Sequence, residues 1–391
     1  MNDYKNVHYC VFTFALTLVL VMASSLPTFA AENNGEKSGV LRLISGVKSF
    51  IDSSAVKGVD PNYITAPEQP WQIILKGNVN QSDLQMKATI DGAELFGPSV
   101  GEIFWGPRIK TDPSTYIGLW AGYRGYGFGY FKNVGGDNGT YLTFGATGGS
   151  YGVNVRVHHF DTDEPVIHFK TTVDGVSYDI KDRATIDEPI TVHTVIADAY
   201  YLFNGKHFSY AAAYDQSVIQ SRSAGSLMAG AMFYHLNIDY AKDKNALFIN
   251  LMNDIGRFKQ WQGGIGLGYA YNFVPVKGLL ISAMAMPILA FYNRSTSYQY
   301  DSELNDVIDL DNLESYDEEE ILNNIRVIQI GKSSKANKIS LNVDARLSVV
   351  YNWKRMFFNV SGQFNHFRYD KDAYSGWLSD WFVNASLGIR L

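Results

Sequence analysis

A chain of 391 residues with 33 Lys or Arg against 39 Asp or Glu has a formal net charge of −6, and its basic residues do not cluster. The positive footprint of a nucleic-acid binder is therefore missing. The single cysteine, Cys10, rules out an internal disulfide and thiolate metal sites.

Polar residues and Lys5 open the chain, and residues 10–23 form an uncharged apolar run. Ser24, Ser25 and Pro27 follow, then Thr28-Phe29-Ala30, with small residues spaced for cleavage ahead of Ala31. Residues 1–30 are thus expected to be an export signal peptide, too short in its apolar part to stay as a spanning helix. Cys10 lies too early for a lipid-anchored protein. Residues 31–69 are expected to form a periplasmic N-terminal segment. There Val40, Leu43, Ile44, Val47, Phe50 and Ile51 recur at helical spacing, which suits a short amphipathic helix or a tail.

From residue 70 to 391 the dominant signal is period-two alternation over lengths that a tilted strand needs to cross a bilayer. Ile117, Leu119, Ala121 and Tyr123 alternate with Gly118, Trp120, Gly122 and Arg124. Val153, Val155 and Val157 alternate with Asn154, Arg156 and His158, and Ile265, Leu267, Tyr269 and Tyr271 with small residues. The clearest case is residues 339–351, where Ile339, Leu341, Val343, Ala345, Leu347, Val349 and Tyr351 oppose Ser340, Asn342, Asp344, Arg346, Ser348 and Val350. Strands in soluble sandwiches are about five or six residues long. These are longer, so the fold expected is all-β: a transmembrane antiparallel up-and-down barrel of about twelve strands, within roughly 10–14. No later stretch is long and apolar enough for a spanning helix.

Loop lengths orient the barrel, since such proteins have short periplasmic turns and long external loops. With a periplasmic C-terminus, residues 352–355, 274–277 and 241–244 are expected as inner turns, and 204–222, 253–261 and 293–338 as outer loops. The chain closes on Val383, Ala385, Leu387, Ile389 and Leu391, with Trp377, Trp381 and Phe382 placed for an aromatic girdle. A last strand ending on an apolar residue is what the barrel-assembly machinery recognises, although Leu391 stands where many such strands carry Phe. Outer-membrane lipid and that machinery are the partners expected.

Two segments resemble a Bacteroidota family of outer-membrane barrels catalogued as a domain of unknown function. One is Asp60-Pro61-Asn62-Tyr63-Ile64. The other combines Tyr200-Tyr201-Leu202-Phe203-Asn204, Phe208-Ser209-Tyr210-Ala211-Ala212, Gln216-Ser217 and Arg222-Ser223-Ala224-Gly225-Ser226. The family pattern carries proline at the position of Ala211. The resemblance implies a barrel in a bacterial envelope and brings no catalytic residue or substrate.

Motifs with chemistry are few. Gly148-Gly149-Ser150-Tyr151-Gly152 has the spacing of a nucleophile elbow, but no helix signal follows, so a hairpin turn is expected. Gly331-Lys332-Ser333 lacks the first glycine of a phosphate loop, because Arg326 stands there. A lipid hydrolase would need a serine, a histidine and an orienting group together. Ser150, Ser209, Ser223 and Ser226 are available, as are His158, His159, His193, His207, His235 and His366, but no spacing selects a triad. The acidic run at 301–320 suits a cation-attracting mouth or a solvated external loop, and it lacks the glycine and terminal glutamate of a calcium hand. No cofactor or metal is implied. Arg124, Arg156, Asp344 and Arg346 share the inferred inner face, as a selectivity constriction or as ion pairs that fill the barrel. A channel for small solutes is the leading functional expectation. A plugged structural or surface-binding barrel is the alternative, and an outer-membrane lipid hydrolase is a third.

Overall fold

A computed structural model describes residues 46, 49–54, 57–91, 93, 97–111, 113–136, 138–162, 166–183, 189–239, 249, 254–305, 308, 315–317, 320–321, 324–371 and 374–391. The expected signal peptide lies outside the described residues. So does most of the expected N-terminal helix, of which Gly46 and residues 49–54 are helical.

In chain order the strands are β1 (Ile64–Thr65), β2 (Trp71–Asp91), β3 (Glu102–Lys110), β4 (Ser114–Tyr123), β5 (Tyr126–Gly135), β6 (Asn138–Thr147), β7 (Tyr151–Thr162), β8 (Val166–Val173), β9 (Val176–Arg183), β10 (Ile190–Leu202), β11 (Ile219–Gln220), β12 (Ala224–Asp239), β13 (Ile255–Val276), β14 (Leu279–Leu304), β15 (Ile325–Ala336), β16 (Ser340–Trp353), β17 (Met356–Lys371) and β18 (Tyr374–Arg390). Twelve of them close a ring, β2-β4-β5-β6-β7-β10-β12-β13-β14-β16-β17-β18, which returns to β2. Every pairing is antiparallel, as expected for an up-and-down barrel. Closure removes the edges that an open sheet would leave unpaired. The seam is tight: Trp71 and Leu391 exchange backbone hydrogen bonds of 3.1 and 2.9 Å.

Alternation places the residues as physical chemistry requires. On β16, Leu341, Leu347, Val349 and Tyr351 are exposed on the outside, whereas Asn342, Asp344, Arg346 and Ser348 are buried inside. Ile73, Leu75, Leu119, Leu267, Leu289, Phe358 and Leu387 continue the apolar outer surface round the barrel. Exposed apolar area of this extent is unfavourable in water and is the lipid-facing surface in a membrane.

The two ends differ. One end, here the seam end, holds Trp71, Leu391 and tight turns at 124–125, 277–278 and 354–355; at the first, Arg124 (φ 51°) and Gly125 (φ 90°) adopt the left-handed pair that suits two-residue hairpins. Two of the three expected inner turns are found here. The third, 241–244, lies outside the described residues; the last described pair of β12 and β13, Asp239 with Arg257, stands at the other end. The segment 204–222, expected among the outer loops, instead leaves β10 and enters β12 at the seam end. Its length is that of a loop, but it folds inward. Residues 255–261 belong to β13, and 293–304 continue β14, which pairs with β15 beyond the ring. At this loop end β3, β8 and β9 also extend the sheet from β2.

Candidate functional site

The lumen brings together most of the buried polar chemistry, and a piece of main chain enters it. Residues 203–223 carry Phe208, Tyr210, Ala211, Ala212, Ala213 and Val218, all buried; the alanines and Val218 pack with Ile64, Leu280 and Val350, while Phe208 and Tyr210 join the cluster of Tyr200, Met228 and Met284. Apolar side chains at a water-filled mouth gain by turning inward, at about 25 cal/mol per Å² removed from water. Within the segment Ser209 caps a five-residue helix, Tyr210–Tyr214, by accepting from Ala212 N at 3.1 Å. Ile219 and Gln220 then pair with Thr65 and Ile64.

A buried main chain must find partners for its polar groups. Asn272 Nδ2 donates to Ser209 O at 2.8 Å, Ser348 Oγ to Ala213 O at 2.5 Å, and Gln220 Oε1 accepts from Ser209 N at 2.9 Å. Gln216, in the left-handed region at φ 61°, presents its carbonyl to Gln72 Nε2 at 2.7 Å and to the Arg390 guanidinium at 2.9 Å. Asp215 accepts from Ser217 N at 2.7 Å and from the Thr147 hydroxyl, while burial pushes its carboxyl up to about 6.

Above this segment one guanidinium holds two carboxylates. The Arg346 Nη2 atom lies 2.9 Å from Asp198 Oδ1 and 3.0 Å from Asp344 Oδ2, and Nη1 donates to the Tyr210 hydroxyl at 2.5 Å. Arg346 also donates to the Tyr200 hydroxyl, which in turn donates to Asp344 at 2.7 Å; Asn154 Nδ2 donates to Asp198 at 2.7 Å. Because β10 and β16 are separated in the ring by β12, β13 and β14, these bonds cross the lumen. A second crossing joins β7 to β18, where Arg156 meets Asp380 at 2.6 Å and lies 3.9 Å above the Phe382 ring. Ser82 Oγ donates to the same carboxylate at 3.1 Å.

Nearer the loop end the filling is apolar. Tyr234 on β12 and Phe367 on β17 stack across the barrel, their ring centres 4.1 Å apart, amid buried Leu84, Ile190, Met232, Leu236 and Leu378. A chamber of about 150 Å³ remains in the lumen, lined by Lys76, Asn78, Trp120, Asp198, Asp215 and Asn384 among others. Trp120 lies flat over Gly122 and Gly127, where any Cβ would overlap its ring. The Lys76 ammonium is 5.4 Å from the same ring centre.

The four residues singled out from sequence separate into three places. Asp344 and Arg346 meet; Arg156 belongs to the other crossing. Arg124 stands in the β4–β5 turn rather than on the inner wall, and donates to Pro67 O at 2.8 Å, which fastens the segment preceding β2. Sequence reasoning missed Asp198, Tyr200, Tyr210 and Asp380. The available signal was a lone carboxylate on the inner face of an otherwise uncharged strand, as at Asp198 in β10.

None of the candidate serines hydrogen-bonds a histidine. Ser150 lies in the β6–β7 turn, with no helix after it, Ser209 is a helix cap, Ser223 accepts from Val274 N, and Ser226 accepts from Asn204 N. His158 pairs with the Tyr116 hydroxyl, His235 with Gln260 O, and His207 with Asp60 at 3.6 Å. His366 Nδ1 and Ser379 Oγ are 2.8 Å apart on the outer wall, without a described carboxylate to orient the ring. Gly331-Lys332-Ser333 runs along β15 as plain strand. Of the acidic run, Asp301 and Glu303 stand on β14, and residues 306, 309, 311, 314, 318 and 319 lie outside the described residues.

The family model described as a domain of unknown function, DUF4421, matches residues 107–390. No curated protein matches the sequence. Among solved structures, the outer-membrane protease OmpT of Escherichia coli aligns at 10% identity over 84% of this chain and 98% of its own, with a TM-score of 0.36. The β domain of the Bordetella autotransporter BrkA aligns at 10% identity over 83% and 100%, with a TM-score of 0.28. The toluene transporter TodX of Pseudomonas putida aligns at 8% identity over 83% and 90%, with a TM-score of 0.26.

Proposed function

The chain belongs to the DUF4421 family, and from that premise and the lumen's geometry we propose that it is a plugged barrel of the bacterial outer membrane, serving as a structural or surface-binding element. The observation that carries this reading is the double crossing of the lumen, Arg346 to Asp198 and Arg156 to Asp380, directly above a main-chain segment that occupies the seam end. A passive pore needs a continuous wet path, and its lining charges face water. Here Arg346 and Asp344 are 5% and 0% exposed.

On this reading residues 1–30 are removed on export, residues 31–69 stay in the periplasm, and the barrel's seam end faces the periplasm and its loop end outward. The terminal strand β18 is the part presented to the assembly machinery. Refolded wild-type protein in a planar bilayer is expected to stay electrically silent. Stepwise currents from the wild type would overturn the plugged reading.

A second reading, a gated channel for small polar solutes, is favoured by the chamber of about 150 Å³, a volume that suits a ligand of one ring. It requires the segment 203–223 to move. A disulfide engineered between that segment and the wall distinguishes the two: gated uptake is lost, while a structural role is untouched.

A further inference from the structure

Lys76 stands on the inner side of β2 between Ile74 and Asn78, both buried, and its side chain lines the chamber of about 150 Å³. Its ammonium lies 5.4 Å from the centre of the Trp120 ring and makes no hydrogen bond or ion pair among the described residues. A ring face attracts a cation, but it leaves the three N–H donors of an ammonium without an acceptor. The described carboxylates that line the chamber are already committed. Asp380 is held by Arg156 and Asp198 by Arg346, while Asp215, which acts on Lys76 through space, is held by Ser217 N and the Thr147 hydroxyl. An ammonium enclosed in a lumen is costly without a counter-charge of its own.

A second donor faces the same chamber. Asn80 Nδ2 donates to Asn78 Oδ1 at 2.9 Å, and Asn78 Nδ2 donates to Asn384 Oδ1 at 2.9 Å. This relay fixes which end of each amide points where, and it ends on Asn384 Nδ2, which has no acceptor among the described residues. Asn384 is the register partner of Asn78, so Lys76 is its diagonal neighbour across the seam, at about 7–8 Å between backbone positions. That span is short enough for the long lysine side chain and the amide to serve one carboxylate.

The wall is cut back nearby. At Gly145, on the inner side of β6, no atom beyond the chain neighbours stands within 4 Å of where a Cβ would lie. A cavity of about 150 Å³ takes up benzene, so the chamber has room for one ring, and Trp120, Phe131 and Phe382 supply apolar lining. One ammonium offsets one negative charge, which suits a carboxylate better than a phosphate dianion.

We propose that the chamber binds a small monocarboxylate carrying up to one ring, its carboxylate received by Lys76 Nζ and Asn384 Nδ2 and its apolar part lying between Trp120 and Gly145. The site goes beyond the plugged reading and needs no ion flow through the lumen.

The test is fluorine NMR of 4-fluorobenzoate with the protein in detergent, against 4-fluorobenzamide as the neutral counterpart and empty micelles as the reference. The probe is present throughout refolding, so slow entry does not hide the site. Wild-type protein is expected to bind the benzoate and to prefer it clearly over the benzamide. Lys76→Met is expected to weaken benzoate binding roughly 10- to 100-fold, the usual worth of a hydrogen bond to a charged group. Gly145→Leu keeps the ammonium but fills the room, and is expected to abolish binding. Wild-type binding no greater than that of empty micelles overturns the site, as does binding unchanged in both variants. Equal binding of the benzamide also overturns it, by assigning uptake to apolar contact alone, and so does displacement by equimolar formate, which assigns it to any simple anion. The comparison of the two probes on the wild type decides even where a variant fails to fold, and planar-bilayer conductance tests the plugged reading separately.

Discussion

Near the seam the lumen is closed by main chain, whereas toward the loop end the described filling is mainly side chains of the wall, joined by Ile249, and the two solutions carry different obligations. The entering segment needs a hydrogen-bond partner for each buried backbone group, so Asn272, Ser348, Gln72 and Arg390 are committed to serving it. The Tyr234 and Phe367 stack rests on ring contact between side chains of the wall. A closure by main chain is accordingly cooperative, because losing one server leaves a carbonyl dry, while a closure by side chains yields piecemeal.

Breaking the seam half through Arg346 is expected to have the largest effect. Arg346→Met leaves Asp198 and Asp344 buried without their cation, a loss of about 3–5 kcal/mol. Urea unfolding in detergent, followed by the heat-dependent shift in gel mobility, measures it; unchanged stability would mean that the crossing does not hold the segment. In the loop half, Phe367→Ala is expected to cost about 3 kcal/mol through the cavity and the lost stack, with the lumen still electrically silent. Conductance from this variant would place the barrier to ions in the wrong half.

A smaller effect sharpens the contrast by pH. Burial raises the Asp215 carboxyl from 3.8 to about 6, so the folded state holds this proton more tightly than the unfolded one. The associated stability is present below pH 3.8 and is lost as pH rises through about 6, on the order of 2–3 kcal/mol in all. Asp215→Asn is expected to flatten that slope between pH 4 and 6. A slope of equal size in the variant would assign it to other groups.

Much of the barrel wall was legible from residue order, because alternation in a strand is dictated by having lipid on one side and a packed interior on the other. Residues 339–351 show this with almost no exception. The strand count and the placing of Asp344 and Arg346 on the inner side followed from the same periodicity. The inward fold of 203–223 was not legible, since loop length carries no sign of direction. Its signal was compositional: Phe208, Tyr210 and three consecutive alanines are poor company for water. Partners across the lumen were equally hidden, because alternation says which face a residue occupies and nothing about which of eleven other strands it meets. Arg124 was misplaced for a simpler reason, as the last step of an alternation can already belong to a turn.

The seam also dictates an order of assembly. Pairing of β18 with β2 joins residues such as Asn78 and Asn384, 306 positions apart along the chain, and such distant contacts form late. Gln72 and Arg390 are register partners in that seam, and both clasp the carbonyl of Gln216. The clasp is therefore complete only once the first and last strands have met. The residues that shut the wall are thus the ones that hold its floor, so a fault in the seam is felt at once by the segment lying across the lumen.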